Sequence, residues 1–101
     1  MTRQEVIEAA RARLSVLYPM APPTIVLRDE WIKEYRWAWK VAFDTQEYLD
    51  TGDTSTRPMS RHLYVRKDNG AVEFISSALS VKQSNYFLET GIFPPPPDSE
   101  L

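Results

Sequence analysis

The sequence predicts an α+β domain, an antiparallel sheet of about four strands with N- and C-terminal helices packed on one face. Three observations carry this. Capping-box spacings, Thr2 with Glu5 and Ser80 with Gln83, open a helix near each end. A run of alternating bulk from Arg36 to Asp44 has the period of a strand. Lys67-Asp68-Asn69-Gly70 is a hairpin turn between two short strand-like runs, because Asn and Gly tolerate positive φ.

Each element follows from local chemistry. After Thr2, the residues Val6, Ile7, Ala10, Leu14 and Leu17 recur at helical spacing and make one apolar stripe. Pro19 disfavours helical geometry at Tyr18 and ends the helix there. Pro22 and Pro23 stiffen the connection, and Thr24 to Arg28 is a β-branched run that reads as a strand. Asp29 to Tyr35 reads as strand end plus turn. In the next strand Trp37, Trp39, Val41 and Phe43 point to one face, and Ala38, Lys40 and Ala42 to the other. The period then changes. Asp44 is placed to cap a short helix over Thr45 to Asp50, anchored by Tyr48 and Leu49 and closed by Gly52 as a left-handed residue. Asp53 to Arg61 is a polar loop. His62 to Arg66 and Ala71 to Ser76 form the hairpin, and Val81 to Glu89 a last helix ending at Gly91. Residues 1–91 therefore read as one domain, and residues 92–101, with Pro94 to Pro97, as an extended and frayed tail.

Composition narrows the function classes. The chain has no cysteine, which removes disulfides and thiolate chemistry and fits a reducing cytoplasm. The net charge of −2 lacks the basic surplus that phosphate neutralisation needs, so nucleic acid is not an expected partner. No apolar run is long enough to span a bilayer, and the charged N-terminus has no signal-peptide centre. The sequence thus predicts a cytoplasmic protein. The three glycines have turn or cap roles, so none is left for a phosphate loop. His62 is the one histidine. It has no metal-ligand spacing around it, and neither metal nor cofactor is expected.

Two features remain for binding. Asp44, Glu47, Asp50 and Asp53 form the densest acidic group. They read either as caps and a solvated face, or as a contact patch that steers a basic partner. Trp31 lies in a charged stretch and suits an exposed interface anchor.

The stretch from Trp39 to Asp53, WKVAFDTQEYLDTGD, resembles the signature of the YrhB-like immunity-protein family, immunity protein 35. The pattern continues through Pro58, the apolar Leu63 to Val65, the Lys67 to Gly70 turn and the helix carrying Tyr86. This chain has Arg57 before Pro58, and Ser76–Ser77, where the family often has glycines. It has Arg66 where an acidic residue is common. The resemblance implies a small α+β protein encoded beside a bacterial polymorphic toxin, which it neutralises, and no catalytic residues. Its structural signature falls on Trp39, Phe43, Tyr48, Leu49 and Gly52. The reading is a non-enzymatic immunity protein that occludes the active site of a cognate toxin, with Asp50, Asp53, Glu47 and Trp31 as contacts. The alternatives are a chaperone-like binding module, or a small enzyme using His62 and nearby carboxylates.

Overall fold

A computed structural model describes residues 1–58 and 60–101. Helix α1 spans Arg3–Leu17, capped by Thr2 with Glu5 reaching back to the Thr2 amide. Strands β1 (Ile25–Glu34) and β2 (Ala38–Thr45) lead into the short helix α2 (Gln46–Thr51) and a single 3-10 turn (Thr54–Thr56). Strands β3 (His62–Arg66) and β4 (Val72–Phe74) form the second hairpin, and α3 (Val81–Thr90) follows. The sheet is antiparallel in the order β1-β2-β3-β4. The α+β class and the four-stranded sheet are those the sequence predicts.

The helices do not share a face. Val6, Ala10 and Leu14 of α1 pack on Ile32, Trp39, Val41, Phe43, Leu63 and Val65. Phe87 and Leu88 of α3 pack on Ala38, Tyr64 and Ile75. Along β2 and β3 these two sets alternate, so the helices lie on opposite sides. Val6, Val41, Leu63 and Val65 are fully buried in the larger core, and each such side chain contributes about 1.5–3 kcal/mol. The single-face expectation failed because it carried the alternation of β2 back to Trp37. That residue sits in the tight turn before β2, where Tyr35 N–H donates to the Ala38 carbonyl at 2.9 Å. Freed from the strand, Trp37 swings to the α3 side and packs on Phe87, with ring centroids 4.9 Å apart.

β1 is also longer than Thr24 to Arg28. Leu27 pairs with Phe43 and Ile32 with Val41, so Arg28 to Trp31 are set against Ala42 alone. This enlarged bulge absorbs the charged residues that looked like a turn, and the strand then resumes. Arg3 pins it from α1, donating to the carbonyls of Asp29 (3.2 Å) and Ile32 (3.1 Å). The tail is not frayed. Pro95 is buried, Gln83 donates to the Pro96 carbonyl, and the Ser80 hydroxyl donates to Asp98 at the start of a last 3-10 turn. Leu17 and Leu49, expected in the apolar faces, are each 38% exposed.

α3 is fastened to the turn before β2. Trp37 N–H donates to the Leu88 carbonyl at 3.0 Å, and Gly91 closes the helix at φ 74°. A Cβ on Gly91 would lie 3.1 Å from the Trp37 indole, whereas one on Gly52 (φ 72°) would meet nothing within 4 Å. Left-handed geometry costs a non-glycine residue about 1–2 kcal/mol. Gly52→Ala is therefore expected to lose about that much, and Gly91→Ala clearly more. Urea unfolding midpoints measure both. Equal losses would show that α3 does not press on Trp37.

Candidate functional site

The polar corner at the end of β2 is built by the change from strand to helix. Thr45, fully buried, is the N-cap of α2; its hydroxyl accepts from Tyr48 N–H at 3.1 Å and donates to the Thr56 carbonyl at 3.1 Å. Asp44 is thereby not the cap it was expected to be. Its carboxylate forms an ion pair with Arg57 and accepts the Thr45 amide at 2.9 Å. The Arg57 guanidinium lies 3.7 Å from the Tyr48 ring centroid, a stacked cation–π contact. Arg57 Nε is buried with no hydrogen-bond partner among the described residues.

The sequence-derived contact residues have different surroundings. Glu47 accepts from the Thr24 amide (3.0 Å) and hydroxyl (2.9 Å), tying α2 to the start of β1. Its own backbone amide and then those of Thr24 hold it below the usual carboxylate range. Asp53 caps the 3-10 turn, accepting the hydroxyl (2.8 Å) and amide (3.0 Å) of Ser55, which lower its pKa in that order. Asp50 is exposed and accepts from Gln46 at 2.8 Å. Trp31 is half-buried at the end of the bulge, with Arg28 over its ring at 5.2 Å. It borders a hollow lined by Ala42, Phe43, Asp44, Arg57, Arg61 and His62, which neither Asp50 nor Asp53 lines. The structure thus brings Trp31 to the Asp44–Arg57 pair rather than to Asp50 and Asp53.

His62 stands opposite Ala42. Burial, then Lys40, then Arg61 push its pKa below the usual imidazole range. Its electrostatic neighbours are cations, the reverse of what holds a catalytic imidazole charged. Among the described residues no group of three or more His, Asp or Glu could hold a metal ion, and no helix is long and apolar enough to cross a membrane. Sequence reasoning missed Arg57 and the basic groups Lys33, Lys40 and Arg61. The period of β2 did put Lys40 and Ala42 on the slimmer face. The strand register that gathers the rest around them is not local.

A small α+β sheet domain with one polar corner and a partly open second face is the class these features define. The family model described as Immunity protein 35 matches residues 4–90, and the chain belongs to that family. No curated protein and no solved structure matches it. Family membership points to a non-enzyme and to a toxin as the general kind of partner.

Two outcomes test the corner. Asp44 and Arg57 are 10% and 23% exposed in the pair. Removing one partner of a fully buried pair costs about 3–5 kcal/mol, so partial exposure lowers the expectation to about 2–3 kcal/mol for Asp44→Asn or Arg57→Met. The double variant should lose less than the sum, since neither charge is then left alone. Additive losses in chemical unfolding would show the pair to be uncoupled. The second test is pH. A carboxylate lowered in the folded state adds stability that is full above its unfolded value of 4.5 and fades as pH falls through the lower folded value. The Glu47→Gln variant should therefore melt below the native chain at pH 7, and the gap should close in acid. A gap independent of pH would exclude the Thr24 contact as its source.

Proposed function

We propose that this protein is a non-enzymatic immunity protein that binds a cognate bacterial toxin in the cytoplasm of the producing cell. It neutralises the toxin by occluding its active site. The observation that carries this reading is the match of residues 4–90, nearly the whole folded domain, to the immunity protein 35 family.

Asp50, Asp53, Glu47 and Trp31 are the contacts, in unequal parts. Glu47 and Asp53 already accept hydrogen bonds that order their own loop. Asp50 is bonded only along α2, to Gln46, and is exposed at the helix C-terminus, where negative charge gives the helix no benefit. It is the freest of the carboxylates to meet a basic group on the toxin rim. Trp31 supplies apolar area.

The decisive experiment is co-expression with the toxin domain encoded in the neighbouring reading frame. Growth should be protected in proportion to the amount of this protein, through a complex of fixed stoichiometry. Protection by a trace amount would favour an enzyme, suppression of aggregation of unrelated clients would favour a chaperone, and either would overturn the proposal. Asp50→Asn should leave the melting temperature unchanged, weaken the complex severalfold through slower association, and reduce its salt dependence. Surface plasmon resonance across a salt series reads all of this. Unchanged rates would remove Asp50 from the interface.

A further inference from the structure

Among the described residues, the sheet's second face is only half covered. α3 rests at the Ala38 end, on Tyr64 and Ile75. Toward the other end two hollows of about 190 Å³ and 250 Å³ meet at Arg61 and His62. One reaches Trp31 over Ala42; the other reaches Val81 and Ser84 at the start of α3, past Lys40. Ala42 is too small to fill the space above it, and the bulge lifts Trp31 to its border. The result is a groove with an aromatic wall at one end and a helix at the other.

Its charge is one-sided. Lys40 and Arg61 line it beside His62, whose charged form burial and these two cations disfavour; Lys33 stands directly opposite Lys40 across the β1–β2 ladder, and Arg28 lies over Trp31. Among the described residues the ion pairs use Arg3, Arg57, Arg66 and Lys67, and none of these five. Asp44, which lines one hollow, is already engaged by Arg57, and Glu73, opposite Tyr64 in the sheet, by the Tyr64 hydroxyl. This cationic groove sits on a chain whose net charge is −2.

Like charges directly opposed across two strands destabilise a sheet. Among the described residues neither lysine has an ion-pair partner to offset that cost, Lys33 meeting only the Tyr35 ring 5.5 Å from its centroid, and a locally unfavourable arrangement is where function is expected. Burial and then Lys33 also disfavour the charged form of Lys40, so an arriving carboxylate would relieve strain on both. A nucleic acid would call for a longer run of cations than this short groove holds. An acidic stretch of protein fits its length and its single aromatic anchor.

We propose that this groove docks an acidic segment of the toxin, with carboxylates on Lys33, Lys40 and Arg61 and an apolar side chain against Trp31. That the partner is a toxin rests on the function proposed above.

The test titrates an inactivated form of the neighbouring toxin domain against the native chain and two variants. Lys33→Glu turns the opposed pair into a cross-strand attraction, so its melting temperature should rise by a few degrees. Its complex should nonetheless weaken about tenfold or more, with a flatter salt dependence. Trp31→Ala should weaken the complex about tenfold through faster dissociation. Should Lys33→Glu unfold, Lys33→Gln replaces it, with a smaller weakening expected. Native binding that both variants retain overturns the groove and leaves the toxin reading standing. No binding by the native chain overturns the toxin reading and the groove with it. A single-stranded oligonucleotide that displaces the toxin domain from the groove at lower concentration than free toxin overturns the choice of an acidic protein.

Discussion

The alternation of bulk along β2 is the constraint on which the rest of the molecule depends. Trp39, Val41 and Phe43 fill one side of this central strand, and Ala38, Lys40 and Ala42 leave the other side low. A helix can cover the heavy face only at a distance set by those large side chains, and α1 does so with the small and medium residues Val6, Ala10 and Leu14. On the low face a helix can come close. Ala38 is fully buried beneath α3, and the approach brings the Leu88 carbonyl within hydrogen-bond reach of Trp37. Where α3 ends its coverage, Ala42 leaves a hollow instead of a packed core. One strand therefore sets the large core, the docking of the last helix and the open groove.

The turn before β2 locks this arrangement. Trp37 accepts from Lys67 N–H through its carbonyl (3.1 Å) and donates to Leu88 through its amide (3.0 Å), so one residue joins both hairpins and α3. Its ring packs on Phe87, takes the Arg66 guanidinium at 4.9 Å, and lies close against Gly91. Tyr64 adds a second ring against Phe87 and keeps its proton: burial, then the bond to Glu73, pushes its pKa up to about 12. An aromatic cluster held by backbone hydrogen bonds at a chain reversal is stiff, and it fixes how α3 sits on the sheet.

Much of this was legible because its causes are local. The boxes at Thr2 and Ser80, the left-handed residues Gly52 and Gly91 and the Asn69-Gly70 turn each depend on a few neighbouring residues. Three features were not legible. The bulge hid β1, because Asp29 to Glu34 carry charges that resemble a turn when read without their partner strand. Trp37 continued the period of β2 in sequence while leaving the ladder in space, and so both helices were assigned to one face. The Asp44–Arg57 pair joins residues thirteen apart across a helix and a turn. The candidate surfaces divide along the same line. The acidic cluster is contiguous and was visible, but its hydrogen bonds to Thr24 and Ser55 were not. The cationic groove draws on β1, β2 and β3, and appears only when Lys33 is set against Lys40 and His62 against Ala42.

Where a protein partner can dock is also decided by what the edges of the sheet exclude. Strand addition needs a regular, exposed row of backbone groups. β1 breaks its row at the bulge, where Arg3 takes the carbonyls of Asp29 and Ile32. β4 is three residues long and offers almost no row at all. Both devices blunt an edge against pairing with another chain. The first face is closed by α1. Among the described residues, a surface of cations outside any ion pair remains on the open part of the second face, where the same bulge that spoils the β1 edge raises Trp31 beside the groove. Protection of the edge and presentation of the aromatic residue are thus two consequences of one insertion, and they favour docking by side chains on a face over docking by backbone at an edge.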